Sequence, residues 1–144
     1  MKWKYDDGGR AAAGFQGGRK GDCVTRAIAI ATRLPYQTVY KEIYQRCMEE
    51  KPHPRQKKPS HPERGVNKNA YRDYLINELG WVWHPIMKIG SGCTVHLKAD
   101  ELPKGRIIAK VSVHLVAVID GVIHDTHDCT RDESRCVYGF YAKS

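Results

Sequence analysis

A chain of 144 residues fits one domain and is too short for two ordinary ones. With 41% hydrophobic residues it can bury a core, which excludes wholesale disorder; at 28% charged residues it has no apolar run approaching the roughly 18 residues of a helical membrane span. A formal charge of +8 favours acidic partners, with nucleic acid the usual first guess.

The leader "MKWKYDDGGRAAAGFQGGRKGD" starts basic, but glycines, Gln16, Arg19 and Lys20 interrupt its apolar residues, so no export signal is expected from it. Asp22 suits an N-cap, and Val24, Ala27, Ile28, Ala31 and Leu34 recur at helical spacing before Pro35. Ala29 and Ile30 make the opposite side apolar too, which predicts a central, buried helix. From about Pro35 to Glu50 the stripe Tyr36, Val39, Tyr40, Ile43 and Cys47 predicts an amphipathic, peripheral helix.

Residues 51–66 then form a basic, proline-rich segment. Lys51, Arg55, Lys57, Lys58 and Arg64 alternate with Pro52, Pro54, Pro59 and Pro62, and the composition reads as a solvated linker or flap that buries little. Asn67 suits the cap of a third helix with Tyr71, Tyr74, Leu75 and Leu79 on one face, and Gly80 suits its stop. Beyond it the period changes. "WVWHPIM" alternates, and Pro85 makes it an edge strand; "IGSGCTVHL", residues 89–97, reads as a turn rather than a phosphate loop because no helix follows. "RIIAKVS" and "VHLVAVI" follow as strands, the second apolar on both faces and therefore central. Helices first and strands afterwards predict an α+β domain with an antiparallel sheet.

Asp120-Gly121 between two β-rich runs signals a two-residue hairpin turn. That turn places Ile119 opposite Val122 and Val118 opposite Ile123. His114, Val116, Val118, Ile123, Asp125 and His127 then share one face, and His124 points to the other. Asp125 becomes a diagonal neighbour of His114, about 7 Å away at the backbone, a gap that polar side chains close. Cys23, at the mouth of the central helix, is placed where unsatisfied N–H groups and the helix dipole favour a thiolate. If the helix start packs against the His114 face, a nucleophile, a base and an orienting carboxylate meet.

The stretches "FQGGRKGDCVTRAIAIA" and "SVHLVAVIDGVIHDT", about a quarter of the chain, resemble the papain-like cysteine peptidase superfamily, nearest in style to compact bacterial members such as the double-glycine leader peptidases. The resemblance implies a papain-like fold and acyl transfer through a thioester. Cys23 would attack, His114 would act as base and then acid, Asp125 would orient the ring, and Gln16 would help the backbone N–H of Cys23 hold the oxyanion. Gln16 precedes the cysteine by seven residues where the superfamily commonly has six. Val24-Thr25-Arg26 stand where it has an aromatic or small pair.

Cys23, Cys47, Cys93, Cys129 and Cys136 are an odd number, widely spaced and without C-x-x-C, which fits reduced thiols in a cytoplasmic protein. His124, His127, Cys129 and Cys136 have zinc-type side chains, but the hairpin register sends His124 and His127 to opposite faces, so neither metal nor cofactor is expected. The sequence therefore reads as a hydrolase of peptide, isopeptide or side-chain amide bonds acting on a protein or peptide, without membrane contact. The alternative is a non-enzymatic phage or mobile-element adaptor that docks its basic linker on an acidic protein or nucleic acid.

Overall fold

The computed structural model describes residues 1–15, 21–51 and 59–143. Strand β1 (Trp3–Tyr5) is followed by helices α1 (Cys23–Thr32), α2 (Tyr36–Met48) and α3 (Lys68–Arg72), the last running on as a π-helical turn over Asp73–Glu78. Then come β2 (Trp81–Pro85), a 3-10 turn at Ala99–Glu101, β3 (Arg106–Val111), β4 (His114–Ile119), β5 (Val122–Asp125) and β6 (Gly139–Lys143). The six strands form one sheet in the order β1-β5-β4-β3-β6-β2. Among the described residues no helix is long and apolar enough to cross a membrane.

The architecture is α+β, but the sheet is mixed where the sequence predicts an antiparallel one. β1 lies parallel to β5, with Trp3 opposite Ile123 and Tyr5 opposite Asp125. Three residues flanked by charge and glycine carry too little periodicity to be read as a strand. β2 is an edge strand and β4 an inner one, as Pro85 and the two apolar faces require. The β4–β5 turn has both central residues at positive φ, Asp120 at 49° and Gly121 at 78°, and the register pairs Ile119 with Val122, Val118 with Ile123 and Ala117 with His124.

Two cores lie on the two sheet faces. Helix α1, buried from Val24 to Ala31, packs with α2 and the π-helical turn against Ile108, Leu115, Ala117 and Tyr141. Leu97, Leu102, Cys129 and Val137, from irregular segments, cover Ile107, Val116, Val118 and Ile123 on the other face. The central helix thus covers the Leu115 face and not, as expected, the face on which His114 alternates. A strand that is apolar on both sides leaves that choice open.

The segment 59–66 is less detached than its composition suggests. Ser60 and Pro62 are buried, the Ser60 hydroxyl bonds Glu50 at 2.9 Å, and the Thr25 hydroxyl donates to the Pro62 carbonyl at 3.0 Å. A Cβ on Gly21 would lie 2.8 Å from the Arg64 carbonyl carbon, so this segment rests on the approach to α1. Residues 59–66 are part of the fold, held by contacts with α1 that composition does not reveal.

Cys93 and Cys136 are joined in a disulfide; Cys23, Cys47 and Cys129 are free. The expectation of five reduced thiols is corrected. His96 bridges to Cys136, and the Val137 N–H donates to the Val95 carbonyl at 2.9 Å, so two segments 43 residues apart run side by side. Spacing alone conceals such a pair.

Candidate active site

Cys23 is the first residue of α1, half-buried. Its sulfur is in hydrogen-bonding reach of the His114 ring and of the Leu115 backbone N–H. His114 opens β4, and its Nε2 lies 2.7 Å from Asp125 Oδ2 at the end of β5. Nε2 is engaged by Asp125, and the sulfurs of Cys23 and of buried Cys129 both lie close enough to the ring to favour its charged form. His114 and Asp125 alternate with residues of the far face, yet both stand at strand ends, where the start of α1 reaches them.

Asp125 is 2% exposed and fully engaged. Its Oδ1 receives Arg26 Nη2 at 2.9 Å and the Thr126 N–H at 2.7 Å. Arg26 also bonds Asp22, whose carboxylate takes Arg10 Nη1 at 3.0 and 3.1 Å and the Tyr36 hydroxyl at 2.9 Å. Asp22 stands at the N-cap position of α1, as expected, but its side chain makes no capping bond, because three donors have claimed its oxygens. Asn67 likewise makes no side-chain cap on α3; its amide donates to Glu50 at 2.9 Å.

The electrostatics follow from these contacts. Burial pushes the Cys23 thiol up, but the hydrogen bond and positive charge of His114, the Leu115 N–H and Arg26 together bring it below the ordinary thiol value. Burial works against a charged His114, and Asp125, Cys129 and Cys23 overcome it, raising the ring well above the ordinary imidazole range. Asp125 is opposed by burial too, yet His114, Arg26 and Thr126 hold it well below the usual carboxylate range. The favoured state is a thiolate beside an imidazolium, anchored on an ionised carboxylate. Such a set can attack a carbonyl carbon and deliver a proton to a leaving group.

Gln16 lies outside the described residues. So do Arg55, Lys57 and Lys58 of the basic segment. His124 stands apart from the site, its Nδ1 3.5 Å from Asp6 Oδ2. His127 is an exposed neighbour, its ring 5.6 Å from that of His114. The suggested zinc ligands His124, His127, Cys129 and Cys136 do not come together among the described residues, since Cys136 is bonded to Cys93 and Cys129 is in the core. Two other trios do, Cys93/His96/Cys136 and His114/Asp125/His127. The first has its sulfurs joined, and in the second a cation would compete with Arg26 for the carboxylate.

Sequence reasoning gave Arg26 no role in the site, read Asp22 as an N-cap and weighed Cys129 only as a zinc-type ligand. Arg26 carried a signal: it is the one charged residue on a helix apolar all round, four residues after Asp22. Cys129 carried no signal for a place beside His114, since a buried cysteine is also an ordinary core residue. No family model, curated protein or solved structure matches this chain.

Proposed function

We propose that the protein is a cysteine-dependent amide hydrolase working through a thioester, with Cys23 as nucleophile, His114 as acid and base, and Asp125 as orienter. The observation that supports it is that the His114 ring, 2.7 Å from Asp125, also interacts with the Cys23 sulfur at the start of α1 and favours its anion. The thiolate adds to the amide carbonyl carbon, and its lone pair forms the C–S bond. The imidazolium passes its proton to the amide nitrogen as the C–N bond breaks and the amine leaves. Neutral His114 then takes a proton from water, whose oxygen attacks the thioester; the C–S bond breaks, returning the thiolate and releasing the acid. The backbone N–H of Cys23, with Gln16 as the side chain suggested by the papain-like resemblance, would receive the oxyanion.

The test is an acylating probe with an amine leaving group, applied to the full chain without reductant and mapped by mass spectrometry. One acyl adduct on Cys23 with release of the amine is expected, and His114→Ala should lose both. Equal labelling of Cys23, Cys47 and Cys129, or an adduct that survives His114→Ala, overturns the reading.

A further inference from the structure

The side chains around Cys23 bear on what the proposed hydrolase would accept. On β3, Arg106 bonds the end of α1 and Ile108 packs in the helix-side core, so Lys110 projects on that same face. Across the sheet Lys110 pairs with Leu115, whose backbone N–H is within reach of the Cys23 sulfur, and on its other flank with Gly139. The Trp83 indole fills the room that a side chain at 139 would need: a Cβ there would lie 2.4 Å from the ring. Lys110 therefore stands between the nucleophile and a half-buried indole, with Cys23 and Lys68 within its electrostatic reach.

What sets Lys110 apart is that, among the described residues, it combines partial burial on the helix side of the sheet with an ammonium that has no hydrogen-bond or ion-pair partner. Among the described residues, Arg10 and Arg26 are bound to carboxylates, Arg106 to carbonyls of α1 and Arg135 to the Ser112 carbonyl. No hydrogen bond or ion pair engages the Lys110 ammonium among the described residues, although the residue is half-buried and burial disfavours its charge. A cation kept desolvated and unpaired beside a nucleophile is arranged for an anion that arrives from outside.

Resting on the hydrolase reading, we infer that Lys110 sets specificity: it receives a carboxylate within one residue of the scissile amide, with Trp83 as the apolar wall of that subsite. Either an internal Asp or Glu side chain or the α-carboxylate of a chain end would present it.

Two small alkylating agents test this without any substrate. The ratio of Cys23 alkylation by iodoacetate to that by iodoacetamide, mapped by peptide, compares an anion with its neutral isostere at the same sulfur. Lys110→Gln should lower the ratio about fivefold, the discrimination expected of one half-exposed charge pair, and Lys110→Arg should keep it. A ratio unmoved by Lys110→Gln, or moved equally by Lys68→Gln, overturns the proposal. Acyl probes carrying Glu or Gln beside the reactive carbonyl, and a free or amidated chain end, then separate the two carboxylate sources; preference for neither anion also overturns it. If no probe turns over while the alkylation ratio still depends on Lys110, the hydrolase reading has failed and the anion subsite has not.

Discussion

At its carboxyl end, α1 has its carbonyls occupied. Arg106 donates Nε to Ala31 at 2.9 Å and Nη2 to Ile30 at 2.6 Å, and the Thr32 hydroxyl donates to Ile28 at 2.6 Å. At its amino end the obvious cap is withheld: Asp22 turns its carboxylate to Arg10, Arg26 and Tyr36 and makes no capping bond. One end is finished structurally, and the other leaves the first-turn N–H groups and the dipole to act on Cys23. Two arginines on Asp22 also offset a carboxylate that would otherwise repel the thiolate one residue away. A capped helix start would be more stable and chemically duller.

The largest break in this contrast should come from Arg26→Met. It removes the guanidinium shared by Asp22 and Asp125, both nearly inaccessible, and leaves buried carboxylates short of a partner. A loss of about 3–5 kcal/mol is expected in urea unfolding, as for other broken buried ion pairs. Selective alkylation of Cys23 over Cys47 and Cys129 should decline with it. A loss below about 1 kcal/mol would show that Arg10 alone suffices for the amino end.

Second in size is the pH dependence of Cys23 alkylation. The thiol is lowered and the His114 ring raised, so the thiolate should form below the ordinary thiol value and persist as pH rises. Cys47, pushed up to about 11 by burial and Glu50, should react only in strong alkali. In His114→Ala the burial remains while the ring's hydrogen bond and charge go, so the Cys23 inflection should move upward. Asp125→Asn, which weakens the ring's hold on its proton, should slow alkylation at pH 6 about tenfold, one pKa unit's worth. An inflection that stays put in His114→Ala would mean that the helix end alone activates the sulfur.

The same contrast explains what the sequence made legible. The hairpin register was readable because Asp-Gly admits one tight turn, and with it came the shared side of His114 and Asp125. The buried helix was readable because apolar residues surround it. Which face of β4 the helix would cover was not, since Leu115 and Ala117 are as apolar as Val116 and Val118. Asp22 misled for a related reason: an Asp at a helix start is usually a cap, and only tertiary contact with Arg10 and Tyr36 diverts it. The Cys93–Cys136 disulfide depends on two irregular segments meeting, which no local pattern encodes. The shared side of His114 and Asp125 was therefore open to inspection, while the approach of Cys23 and the network that holds all three were not.

The smallest effect belongs to the finished end. Arg106→Gln removes the donors that satisfy Ile30 and Ala31, at a site where burial and Arg33 already work against the guanidinium's charge. Two hydrogen bonds to carbonyls are lost, but the carbonyls at this open end regain water, so the cost should be about 1–2 kcal/mol. Because Arg106 stands at the opposite end of a ten-residue helix from Cys23, the alkylation rate and its pH inflection should not move. The dipole falls off within a turn, so charge removed at one end should not be felt at the other. Stability by urea unfolding and the Cys23 pH profile, measured on the same variant, check both halves. A shifted inflection would mean that α1 transmits charge along its length, and that its two ends are not independent.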